Sequence, residues 1–243
     1  MVIPNRDGPS GAGALPCIDP RRAHGVISLW RVVMRDLNMS FSNSIKRVTL
    51  LILFAALALA QNPPALKPGL YATFNTSEGT ITALLYEKVT PIAVGNFVAL
   101  AQGSKAWRDP KTGAMVRRPL YENITFHRVI PGTAIQSGDP TGTSAHNCGI
   151  TIRDEFLPGL RFSGPGRLAV ANTGNPDSGG CQFFITDQSM SQWDGKYTIF
   201  GQVVVGLDVV SKISRAPVHG EKPVDPVKLT SVTIERIGAP QKR

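Results

Sequence analysis

Residues 126–140 read FHRVIPGTAIQSGDP, a His127-Arg128 pair beside an apolar run, followed by Gln136 and a Gly-Asp-Pro turn. An arginine side chain is always charged and offers several donors in a fixed fork. Beside apolar residues, with no nucleophile in the segment, it suits a reaction carried by a fixed donor rather than by covalent attack. A nucleophile alternative lies further on. Asp177-Ser178-Gly179-Gly180 sets a serine in a tight turn, and His127, Asp139 or Asp154, then Ser178 follow one of the chain orders known for serine triads. Such a serine needs a base within hydrogen-bond reach and a third group to orient that base. Pro176 before the turn and the strand-like surroundings of His127 speak against it, and NTGNPDSGG reads equally well as a plain loop. His146-Asn147-Cys148 with Cys181 matches no ligand spacing and falls short of the three or four ligands a metal site needs, so no metal is expected. His219 sits in a polar loop, and Trp193, Tyr197 and Phe200 read as core and rim aromatics.

The elements that must position these residues are mostly strands. Leu70 to Glu87 holds two β-rich runs around Ser77-Glu78-Gly79, a hairpin signature. Thr90-Pro91 reads as N-cap and first residue of a helix that Gly103 ends, with Ile92, Phe97, Val98, Leu100 and Ala101 mostly on one side. Ser104 to Pro119 is polar, carries two turn signals and reads as an exposed loop. Beyond it ITFHRVI, TIRDEF, RLAVANT, CQFFIT and YTIFGQVVV are short β-rich runs, GLDVVSKIS a short helix and LTSVTIERI a final alternating strand. Many short strands with few helices and no internal repeat point to an all-β barrel or sandwich in one domain, residues 70–238, followed by a tail, 239–243.

The N-terminal quarter has a different logic. Lys46-Arg47 precede an apolar run of 13 residues, Val48 to Ala60, closed by Ala58-Leu59-Ala60. This reads as a signal peptide over 39–60, too short for an ordinary membrane span, with an uncleaved anchor as the alternative. Residues 1–38 have no place in that logic and read as an over-long start or a disordered leader, while 61–69 form a Pro-rich spacer. The expected compartment is periplasmic or extracellular, with no stable membrane insertion after cleavage. Of the formal net charge of +9, residues 61–243 keep +5, and their basic runs are no longer than pairs such as Arg117-Arg118. Nucleic acid is therefore not an expected partner. Two cysteines remain after export, Cys148 and Cys181, which could form a disulfide or stay as two partly buried thiols.

Taken together, FHRVIPG and IQSGDP, then DEF at 154–156, LAVANTG at 168–174, QFFIT at 182–186 and WDGKYTIFGQVV at 193–204 resemble the cyclophilin family of peptidyl-prolyl cis-trans isomerases. The resemblance runs from about Leu70 to Ile237 in the family's order. It implies a mainly β fold, a closed eight-stranded antiparallel barrel capped by two α-helices, acting as a monomer without cofactor. Its partners would be proline-containing polypeptides, with cyclosporin-type molecules as further candidate ligands. Arg128 matches the family's catalytic arginine. Gln136 matches the glutamine that bonds substrate backbone and helps orient it, and His127 matches an active-site histidine. Ala171, Asn172 and Thr173 match the segment that holds the peptide before the proline. Gln182 and Phe184 match pocket positions, Phe184 in the floor under the proline ring, and Trp193 and Tyr197 match its rim. In the family the loop corresponding to the one around Cys148 lies near the position of Cys181, which favours the disulfide.

The implied chemistry needs no nucleophile. Rotation about an X-Pro bond faces a barrier of about 18–20 kcal/mol because twisting breaks amide resonance. The twisted prolyl nitrogen recovers a localised lone pair, so a donor aimed at it binds that state better than either planar state. Two departures bear on the pocket. Thr133-Ala134 stand where the family usually has Phe-Met, which should widen the proline pocket, and Trp193 replaces a usual Leu, so its indole could lean into the space beside Ala134. A module that binds peptide without catalysis is the alternative reading.

Overall fold

A computed structural model describes residues 66–238. The expected leader and signal peptide, residues 61–65 of the expected spacer and the tail 239–243 lie outside the described residues. Strands β1 (Gly69–Thr76) and β2 (Gly79–Leu85) form the expected hairpin, turning at Ser77-Glu78. Helix α1 (Pro91–Ala101) follows, then β3 (Trp107–Arg108), β4 (Met115–Val116), β5 (Ile124–Thr125), β6 (Arg128–Ile130) and β7 (Ala134–Ser137). The second half holds β8 (Arg167–Val170), β9 (Phe183–Thr186), a 3₁₀ turn (Ser191–Trp193) and β10 (Ile199–Val205). Helix α2 (Leu207–Ser214), β11 (Val218–His219), β12 (Lys222–Pro223) and β13 (Lys228–Ile237) complete it.

Nine strands form one antiparallel sheet in the order β5-β13-β1-β2-β10-β8-β9-β7-β6. Its two edge strands, β5 and β6, are consecutive in the chain and separated only by Phe126 and His127. The backbone itself therefore joins the two edges. With β5 and β6 counted as one bent strand, the order is that of an eight-stranded ring, the arrangement that leaves no open edge.

Side chains on these strands alternate between two buried clusters. Val129, Ile135, Leu168, Val170, Phe183 and Ile185 point into the main core, where Phe74, Phe97, Tyr121 and Phe200 also meet. Ala134, Ala169, Ala171 and Phe184, one residue out of step, enter a second cluster with Phe162, Met190, Trp193, Tyr197 and Ile199. Because both faces are covered, β7 and β9 are buried at every position.

Helix α1 closes the main core. Phe97 on it lies 5.0 to 5.8 Å, centroid to centroid, from Tyr121, Phe200, Phe183 and Phe74. Its buried face is Ala93, Val94, Asn96, Phe97, Leu100 and Ala101, so Ile92 and Val98, expected there, lie at its margin. Thr90 was expected to cap α1, yet its side chain makes no cap bond. Glu155 caps it instead, one carboxylate oxygen accepting from Ile92 N at 3.2 Å and the other from Ala93 N at 2.9 Å. A carboxylate there also meets the positive end of the helix dipole, and it outcompetes a hydroxyl for the same amides.

Two other expectations need correction. Ser104 to Pro119 is not simply an exposed loop, because β3 and β4 pair within it and Trp107 is fully buried. The indole donates to the Arg118 carbonyl at 2.9 Å, and the Arg118 guanidinium lies 4.7 Å above the ring. TIRDEF is not a strand and makes a single bridge, Ile152 to Gly179. Its backbone groups and carboxylates go instead to Asp177, Thr198 and the start of α1.

Candidate active site

Strand register builds the site. Arg128 pairs with Gln136 across β6–β7, Gln136 with Phe184 across β7–β9, and Phe184 with Ala169 across β9–β8. One row of side chains on the outer face of the ring thus runs from a cation through an amide to an aromatic ring. Arg128 Nη1 donates to Gln136 Oε1 at 3.2 Å, and Gln136 Nε2 donates to Gln182 Oε1 at 2.7 Å. Gln182 Nε2 in turn reaches the carbonyls of Ser144 and His146 at 3.1 and 3.0 Å. On its other side Arg128 Nε meets Glu221 Oε2 at 2.5 Å. The Arg128 side chain is only 7% exposed, so these bonds replace water around a charge that burial would otherwise make costly.

His127 is also buried, and among the described residues neither ring nitrogen has a hydrogen-bond partner. Burial pushes its pKa down, while the Asp139 carboxylate pulls it up. Gln182 and the Thr125 backbone lie close to the ring without reaching bonding geometry. Asp139 is held below the usual carboxylate range although burial opposes its charge, because Thr141 and the His146 amide donate to it. This Asp139-centred turn shapes the loop that carries Ser144 and His146. A disulfide from Cys148 to Cys181 ties the same loop to the residue before Gln182. The neighbouring Gly138 has φ +98°, and a Cβ on it would stand 2.3 Å from the Cys181 carbonyl oxygen, so only glycine fits.

Beside the polar row lies an aromatic pocket wall. Phe184 stacks on Phe162 at 5.9 Å, and Trp193 and Tyr197 meet Phe184 edge-on at 5.3 and 5.1 Å. Ala134 and Trp193 both belong to this buried cluster. The Thr133 hydroxyl, in the turn just before β7, donates to the Pro131 carbonyl and accepts from Gln188. Ala171 sits in the cluster with its amide bonded to the Gln182 carbonyl at 3.0 Å. Asn172 donates to the Lys196 carbonyl at 2.8 Å, and Thr173 is exposed with its amide on the Ser178 hydroxyl. Asn172 and Tyr197 also line a cavity of about 260 Å³ with Phe156 and Lys196.

The nucleophile and metal alternatives do not assemble. The Ser178 hydroxyl donates to the Asn175 carbonyl at 2.6 Å and accepts from Thr173, so it serves its own loop. Asp154 and Asp177 bond each other's backbone amides rather than a histidine. Cys148 and Cys181 are joined to each other, and no cluster of three or more metal-ligating residues occurs among the described residues. Sequence reasoning missed Glu221 and Phe162. Glu221 lies 93 residues from Arg128 in a polar turn, and no local pattern marks it.

The model of the cyclophilin type peptidyl-prolyl cis-trans isomerase/CLD family matches residues 71–234. The chain belongs to the cyclophilin family. This cyclophilin is 41% identical over 170 residues to peptidyl-prolyl cis-trans isomerase B of Streptomyces anulatus, covering 68% of this chain and 97% of that protein. It is 42% identical over 166 residues to peptidyl-prolyl cis-trans isomerase A of Mycobacterium tuberculosis, covering 67% and 91%. A solved cyclophilin-type isomerase of Cryptosporidium parvum, crystallised with the dipeptide Ala-Pro, aligns at TM-score 0.60 and 30% identity over 69% of this chain and 99% of that one.

Proposed function

We propose that this cyclophilin is a peptidyl-prolyl cis-trans isomerase that speeds X-Pro rotation by binding the twisted amide, with Arg128 as the donor to the prolyl nitrogen. The observation that carries this reading is the held guanidinium at the edge of an aromatic wall. A donor fixed before the reaction costs no reorganisation when the nitrogen lone pair localises. Gln136 holds one edge of the fork and is positioned to take substrate backbone, with Gln182 behind it. Phe184, Ala134, Trp193 and Tyr197 receive the proline ring, and Ala171, Asn172 and Thr173 receive the preceding residues. His127 packs beside the donor as a neutral group. The intact polar row favours catalysis over a binding-only module, which would have no use for it.

Proline-containing polypeptides are the proposed substrates, and a single chain carries every group invoked. The apolar run at 48–60 after Lys46-Arg47 supports an exported protein, and the disulfide fits an oxidising compartment. Cyclosporin-type ligands would meet the same wall, altered at Ala134 and Trp193. The test is cis/trans exchange on Ala-Pro and Phe-Pro peptides, by NMR or protease coupling, with Arg128→Ala in parallel. Loss of one such donor elsewhere lowers rates by about 10²–10³, and a comparable drop is expected here. Wild-type rates in the folded variant would refute the role of Arg128.

A further inference from the structure

The family resemblance singles out the Gln136 side of Arg128 and says nothing of the opposite side. We propose that Glu221 is a positioning residue for Arg128, helping to fix the plane of the guanidinium that faces the twisted prolyl amide; this rests on the donor reading above.

The placement of Glu221 is built, not incidental. β11 and β12 pair as Val218 with Pro223 and His219 with Lys222, leaving Gly220-Glu221 as a two-residue turn, with Gly220 at φ +64°. That turn is fastened to the active strand, because Val129 N donates to the Glu221 carbonyl at 2.7 Å. The side chain of the same residue then bonds Arg128 Nε, so backbone and carboxylate bracket two successive residues of β6.

A guanidinium is a rigid plane on a flexible stem. Contacts at Nη1 and Nε, on two edges of that plane, restrict its pivoting more than the Nη1 contact does by itself. The carboxylate contact is the stronger of the two, since both partners are charged there, whereas only the donor is charged in the bond to Gln136. It also brings a cost, because a carboxylate weakens the positive field that the reaction uses. Orientation should outweigh this loss, since the acting groups are hydrogen-bond donors and small misplacements of such groups cost rates steeply.

The environment allows a clean experiment. Glu221 is 37% exposed at its side chain and borders an open cavity of about 380 Å³ with His127, Arg128, Gly142, Thr143, Ser144 and Lys222. Its replacement therefore empties no core space. Glu221→Gln keeps an acceptor oxygen without the charge, and Glu221→Leu keeps the bulk with neither.

The test measures kcat and KM for a prolyl peptide in wild type, both Glu221 variants, Arg128→Ala, and Arg128→Ala combined with Glu221→Leu, with melting curves beside them. The expected pattern is a fall in kcat of about 3–10-fold for Glu221→Gln and about 10–100-fold for Glu221→Leu, with KM nearly unchanged. In the Arg128→Ala background, Glu221→Leu should make no further difference, because its partner is gone. Unchanged or faster catalysis in Glu221→Leu overturns the proposal. So does an equal loss in both backgrounds, which would mean the hairpin acts through the fold. An Arg128→Ala variant as active as wild type would instead overturn the donor reading itself.

Discussion

Removing the bond between Cys148 and Cys181 is a perturbation whose size follows from the chain. The two residues are 33 apart in sequence, and both are buried. In the loop-entropy treatment, closing such a loop removes about 12.5 cal/mol/K from the unfolded chain, or about 3.7 kcal/mol at 25 °C. The double variant Cys148→Ala, Cys181→Ala should therefore lose about 3–4 kcal/mol, with a melting temperature lower by about 7–15 °C in a domain of this length. Urea unfolding followed by tryptophan fluorescence is the assay, and its m-value should rise because the uncrosslinked unfolded chain exposes more surface. Since the loss arises mainly in the unfolded state, the folded variant should keep kcat/KM within about threefold. The experiment needs Cys17→Ser as background, so that thiol titration reports only this pair. Two titratable thiols in that protein before reduction, or a stability change under about 1 kcal/mol, would refute the reasoning.

Trp193→Leu should cost about 2–4 kcal/mol, through lost volume and three edge contacts to Phe162, Phe184 and Tyr197, and should slow isomerisation several-fold. An unchanged rate in the folded variant would show that the indole does not substitute for the missing wall at Ala134. His127 predicts an acid-sensitive stability. Its pKa is lowered in the fold, so the unfolded chain binds the proton more readily, and the stabilisation present above about pH 6.5 is lost as pH falls toward the folded value. Denaturant midpoints between pH 7.5 and 5 should thus fall less steeply in His127→Gln than in wild type; parallel slopes would contradict this.

How much was legible in the sequence depended on whether the cause was local. Hairpin β1–β2, helix α2 and strand β13 were readable because turn residues and periodicity lie within each segment. The motifs around Arg128, Gln136 and Phe184 were readable through family resemblance, and register then brought them into one row. What was hidden was non-local. The cap of α1 comes from Glu155, more than sixty residues away, and the bond on Arg128 Nε comes from Glu221 on a distant turn. Trp107 lies in a polar stretch that reads as loop, and its burial depends on the Arg118 carbonyl and guanidinium.

The double-sided burial of the barrel strands has a consequence for how this molecule can change. Along β7 and β9, Ala134, Gln136 and Phe184 lie on the face of the proposed site, while Ile135, Phe183 and Ile185 hold the interior. Selection on ligand preference and selection on foldability would therefore act on interleaved but separate sets of positions. A single inserted or deleted residue in either strand would swap the two sets, sending Gln136 into the oily interior and Ile135 toward the peptide. In these short strands, buried on both faces, a change of length is therefore costlier than a substitution on either face.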